Sequence, residues 1–153
     1  MAAYSSFGTT LKIGATGAGG AYTAPTNAVG EVTSLNIDGI KLNAIDVTGL
    51  TDRFRKFVPG LIDSGSVSLD VNFDSDDTNG QKIIVQLLDN TAATTAPSAR
   101  SFLVQYGDSN NKIATFAFVG IVTDISWKGP LDAVVGASIQ IKVTGSITYA
   151  DVL

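Results

Sequence analysis

The side chains best placed for chemistry are Asp74, Asp76 and Asp77, the densest acidic cluster in the chain. Carboxylates this close can hold a hard cation or divide general-acid and general-base roles between them. Asp74, Asp76 and Thr78 also fall at positions one, three and five of a calcium loop. The match stops there, because position six is Asn79 rather than Gly and position twelve is Val85 rather than a bidentate Glu. An apolar stripe of helical period follows at once, and acids at a helix start cap its free amides and complement its dipole. The cluster reads as a cap. The chain has no histidine and no cysteine, which removes the commonest general base near neutral pH, the Ser-His-Asp and Cys-His nucleophiles, disulfides and thiolate metal sites. Gly14, Gly17, Gly19 and Gly20 are not spaced as GxGxxG, and no Lys-Ser or Lys-Thr follows to cradle a phosphate. No catalytic, cofactor-binding or metal-ligating residue is expected, and no enzymatic activity.

The unusual chemistry lies in GLTDRFRKFVPGLI, residues 49–62. Leu50, Phe54, Phe57, Val58, Leu61 and Ile62 share this Pro59-punctuated stretch with Arg53, Arg55 and Lys56. So much apolar surface outside a core is a solubility liability in a monomer. It becomes useful if the apolar side chains enter a partner's groove while the arginines meet acidic edges. The alternative is that the stretch folds back over its own sheet.

Composition bounds the setting. A chain of 153 residues fits one domain and buries about 70% of its unfolded surface. Apolar residues make up 44% and charged residues 16%, so much of the surface must be Ser, Thr, Asn, Gln and Gly. Such a surface suits close contact with copies of itself, and equally a bland monomer. A formal net charge of −4 argues against gripping nucleic acid, since phosphate affinity comes from clustered Lys and Arg. The N-terminus lacks a secretory pattern and no apolar run is long enough to span a membrane, so synthesis and folding in cytoplasm are expected.

The elements that carry these residues are mostly strands. Val67, Leu69, Val71 and Phe73 alternate with Ser66, Ser68, Asp70 and Asn72, the pattern of a half-buried strand. Ile139, Ile141, Val143, Ile147 and Tyr149 alternate with Gln140, Lys142, Thr144, Ser146 and Thr148 in the same way. Ile121, Thr123, Ile125 and Trp127 alternate with Val122, Asp124, Ser126 and Lys128, with Trp127 grouped among inward residues. Further strands are expected at Leu11–Gly14, Glu31–Asp38, Leu42–Thr48, Ser101–Gly107 and Lys112–Gly120. GDSNNK at 107–112 should join two of them as a hairpin, and DGIK at 38–41 another pair. Ile83, Ile84, Leu87 and Leu88 form a helical stripe between about Asp77 and Asp89. Residues 91–99 read as a loop and the glycine-rich 14–28 as flexible. These signals define an antiparallel β-sandwich or partial barrel with one flanking helix.

In order along the chain, GTTLKIG, VGEVTSLNIDG, AIDVTGL, FRKFVPGLIDSGSVSLDVNFD, an amphipathic helix, FAFVGIVTDIS and IQIKVTGSIT resemble the major tail tube proteins of long-tailed, siphovirus-type bacteriophages. The most specific part is FVPGLIDSGSVSLDVNFD. The resemblance implies a single tail tube domain over 1–153, with a flexible N-terminal arm at 1–28 and a long assembly loop at 49–63. It implies a structural virion protein forming hexameric rings that stack into a tube. The tube would enclose the tape-measure protein, conduct DNA during ejection, and meet tail terminator and tail-tip proteins. The inter-subunit or inter-ring loop would comprise Leu50, Arg53, Phe54, Arg55, Lys56, Phe57, Val58, Pro59, Leu61 and Ile62. Ser66, Ser68, Asp70 and Asn72, a strand face without Lys or Arg, are the candidate lumen face. Alternatives are the tube of a contractile tail or type VI-like secretion device, and a β-sandwich binding module, which would expose aromatic side chains. A hydrolase built on paired aspartates is a third.

Overall fold

The computed structural model describes residues 8–14, 22–88, 99–107 and 112–151. The strands are β1 (Thr10–Ile13), β2 (Asn27–Val29), β3 (Val32–Asp38), β4 (Lys41–Asp46), β5 (Phe57–Asp63), β6 (Ser66–Asn72), β7 (Arg100–Gly107), β8 (Lys112–Lys128) and β9 (Gly136–Asp151), with one helix, α1 (Gln81–Leu88). Seven strands form one antiparallel sheet in the order β2-β1-β7-β8-β9-β6-β3, and among the described residues β4 pairs only with β5. Period-two alternation produces this sheet directly. Val67, Leu69 and Val71 of β6 and Ile139, Ile141 and Val143 of β9 are buried, while the residues between them turn outward.

The two long strands let one sheet enclose one core. β8 and β9 pair along most of their lengths, with register shifts between Ala117 and Val119 and between Val122 and Asp124. Such bulges bend and twist a sheet. Leu11 and Ile13 of β1, Phe102 and Val104 of β7 and Phe118 of β8 thereby join the β6 and β9 side chains in a single cluster, with the Phe102 and Phe118 rings stacked at 5.5 Å. Ile84 and Leu87 of α1 are buried in that cluster, and Ile83 and Leu88 pack against it.

Several expectations are corrected. Segments 112–120 and 121–128 are one strand, and the bulge after Val122 puts Val122 inside and Ile121 outside, so Ile121 does not share the side of Ile125 and Trp127. DGIK joins no hairpin: β3 pairs with β6, β4 with β5, and 38–41 is the corner where the chain leaves the large sheet. Residues 57–63, expected within a loop, form β5. β1 at Thr10–Ile13 is the strand expected at Leu11–Gly14, and with Asn27–Val29 it gives the segment expected to be a flexible arm two paired strands; residues 1–7 and 15–21 lie outside the described residues. So do 108–111 of the GDSNNK turn, although β7 and β8 pair as that turn requires, and 89–98, most of the 91–99 loop.

Candidate assembly surface

The stretch that stood out in the sequence forms an arm, a two-stranded ribbon of β4 and β5. Its root is fixed by Gly65 at a φ of +79°, where a Cβ would lie 1.9 Å from the Asp38 carbonyl oxygen. Only glycine lets the chain leaving the arm cross so close to the corner entering it. Asp63 accepts from the Gly65 amide at 2.9 Å and from Lys142 Nζ at 2.9 Å, the Ser64 hydroxyl donates to the Gly145 carbonyl, and the Val143 amide donates to the Gly65 carbonyl. The arm is thus pinned to β9 at its base.

Beyond the root the ribbon has no core. Leu42 stands opposite Ile62 and Asp46 opposite Phe57 on one face, while Ile45 stands opposite Val58 on the other. Every residue of β4 is exposed, and every residue of β5 except Gly60. An isolated two-stranded ribbon is marginal in water, and this one presents apolar side chains on both faces. At its tip Leu50 is fully exposed and Phe54 is 82% exposed. The tip is nonetheless shaped: Asp46 accepts from the Thr48 amide and hydroxyl, Asp52 accepts from the Gly49 amide at 2.8 Å and Lys56 Nζ at 2.6 Å, and Thr48 Oγ1 accepts from the Lys56 amide. These donors hold the carboxyls of Asp46 (chiefly Thr48), Asp52 (chiefly Lys56) and Asp63 (chiefly Lys142) below the ordinary carboxylate value. Lys56, expected to face a partner, is committed to Asp52 within the arm. Arg53 and Arg55 have no ion pair among the described residues.

Ser66, Ser68, Asp70 and Asn72 do share the outer face of β6. Their cross-strand partners widen it: Asp38, Asn36 and Ser34 from β3, and Lys142, Gln140, Ser138 and Gly136 from β9, continued on β8 by Asp124, Ser126 and Lys128. Ser138 Oγ donates to Asp70 at 2.6 Å. The face therefore spans four strands and is polar except at Ile121, which stands exposed opposite Lys142. It is not free of cations, because Lys142 sits opposite Ser66.

A third surface escaped the sequence reading. Phe73, just past β6, and Trp127 of β8 continue the core-side alternation of those strands, yet Trp127 is 52% exposed. Their rings meet edge to face at 6.4 Å. The β8–β9 connection adds Leu131, Val134 and Val135, all exposed, and the Phe73 amide donates to the Val135 carbonyl. Trp127 is thus an exposed aromatic, contrary to its expected burial. The run PLDAVV in a loop was the available signal.

The acidic cluster is a cap. Asp77 accepts from the amides of Gly80 and Gln81 at the start of α1 and from Gly30 across the fold, and Asp74 accepts from the Asp76 amide. Among the described residues no group of acids could hold a metal ion.

The sequence matches the family described as "Phage tail tube, TTP, lambda-like" over residues 15–151. No curated protein sequence matches the chain. Among solved structures, the SPP1 tail tube is 15% identical with a TM-score of 0.63, covering 95% of this chain and 78% of that one. The tail of a gene transfer agent, resolved with C6 symmetry, is 16% identical with a TM-score of 0.59, over 92% and 95% of the two chains. The tube-terminating cap of the anti-feeding prophage is 9% identical with a TM-score of 0.70, over 99% and 93%. At these identities the structures establish a shared fold; the match spanning residues 15–151 establishes more, and the chain belongs to the lambda-like family of phage tail tube proteins, structural components of the virion tail.

Proposed function

We propose that this chain polymerises as hexameric rings stacked into a tube, with the β4–β5 arm as an element joining copies. The observation that carries the reading is the arm itself, a ribbon with exposed apolar side chains on both faces and no core of its own. Side chains so placed contribute when a neighbour covers them, so their effect belongs to polymerisation rather than to folding. The C6 symmetry of the gene transfer agent tail supports six copies per ring. A terminating cap with the same fold supports a terminator that docks on the last ring much as another ring would.

The polar face of β3, β6, β9 and β8 is suited to the lumen. A channel that encloses a tape-measure protein and then conducts DNA must not hold phosphate, and this face offers hydroxyls, amides and near-balanced charge instead of clustered cations.

The test is negative-stain microscopy with thermal unfolding. The natural protein should form rings or tubes. Phe57→Ala combined with Arg53→Ala should give a soluble, folded monomer with nearly unchanged melting and no tubes, since losing a buried interfacial aromatic costs on the order of 2 kcal/mol or more per interface. A lowered monomer melting temperature with normal tubes would mean that the arm packs on its own sheet.

A further inference from the structure

We infer that the arm tip of one copy docks head to tail on the apolar end formed by Phe73, Trp127, Leu131, Val134 and Val135 of another copy. The inference rests on the arm being an assembly element and names what receives it.

The two surfaces match in kind. The tip offers Leu50 and Phe54 beside Arg53 and Arg55, which have no ion pair among the described residues. The receiving end offers an open aromatic pair and a fully exposed Leu131, bordered in sequence by Asp74, Asp76 and Asp132 against one nearby cation, Lys128. Apolar surface would meet apolar surface, with arginines facing a carboxylate rim.

Their placement makes the contact intermolecular. The arm is rooted where β6 begins, at Gly65 and Lys142, whereas Phe73 and Val135 lie just past the other end of β6. Seven strand residues separate the arm's root from the receiving end by about 20 Å. Within the chain Leu50 and Leu131 both remain fully exposed. The tip and the receiving end are two different surfaces of one subunit, and their head-to-tail meeting is a heterologous contact that propagates from copy to copy.

The absence of cysteine from the sequence allows a direct test. Protein carrying Leu50→Cys is mixed with protein carrying Leu131→Cys, assembled and oxidised. Mixed disulfide dimers are expected, because a disulfide needs Cα atoms within about 7 Å, and the doubly substituted chain should give a ladder of covalent multimers. Gln140→Cys, on the polar face, replaces Leu131→Cys as the control and should not cross-link. Independently, Leu131→Asp should leave melting unchanged, since that side chain is fully exposed, and raise the critical concentration for assembly at least about tenfold. Normal assembly of Leu131→Asp without the mixed disulfide would overturn this inference while arm variants still failed to assemble. Arm variants that assemble like the natural chain would instead overturn the assembly reading on which it rests.

Discussion

Gln81 is almost fully buried at the first position of α1, where its carboxamide joins three segments. It accepts from the Asp74 amide at 3.0 Å and donates to the carbonyls of Gly30 at 2.9 Å and Asn72 at 3.0 Å. Buried amide groups are costly to leave unpaired, so Gln81→Leu should lower unfolding free energy by about 2–4 kcal/mol as the groups it serves lose their partner. Urea unfolding measures the loss, and the exposed neighbour Lys82→Ala should shift little. A near-neutral Gln81→Leu would show that water replaces the side chain. Nothing in the sequence marked this residue. Asp77, by contrast, was legible, since an acid ahead of an apolar helical stripe has one common use; its bond to Gly30, 47 residues away, was not, because no local rule reports which distant amide lies within reach.

The arm shows where pattern reading of whole elements ends. Its composition was visible at once, but β5 was missed because Pro59 and Gly60 interrupt the alternation that marks a strand. The structure resolves the conflict: a register shift lies between Leu42 and Ala44, and a Cβ at Gly60 would come 2.9 Å from the Asn43 carbonyl. DGIK reads as a hairpin turn because turn residues look alike whether the next strand pairs with the last or, as here, departs from it. The arm's internal bonds also give it a defined response to acid. Asp46, Asp52 and Asp63 all have folded pKa values held down by their donors, so their contribution is complete above the unfolded carboxylate value and is lost as pH falls through the folded values. Exchange protection of the Thr48, Gly49 and Gly65 amides should therefore hold from neutral pH to about 5 and decline only below about 4. Decline beginning near pH 6 would show that these carboxylates do not order the arm.

At the scale of the whole molecule, one curved sheet separates three surfaces that the sequence interleaves. The buried alternation of β6 and β9 was plain, and it placed Ser66, Ser68, Asp70 and Asn72 together. The width of their face was not plain, because it depends on β3 and β9 flanking β6, a matter of topology rather than period. That width gives the lumen reading its consequence. Ser68 lies mid-strand, opposite Asn36 on one side and Gln140 on the other, so an added cation there has no carboxylate directly across from it and would face the channel. A lysine reaching solvent from a half-buried position should cost little in folding, but a ring would repeat it on every subunit and stacking would extend the rings into rows of positive charge. Each added cation strengthens phosphate contact in a salt-dependent way. Ser68→Lys should therefore yield normal tubes and normal melting, with DNA ejection slowed at low ionic strength and restored towards the natural rate as salt rises. The same substitution at Asn79, exposed in the turn ahead of α1 and away from this face, should leave ejection unchanged at every salt concentration. Equal ejection rates for Ser68→Lys and the natural chain at low salt would show that DNA travels along a different face of the sheet.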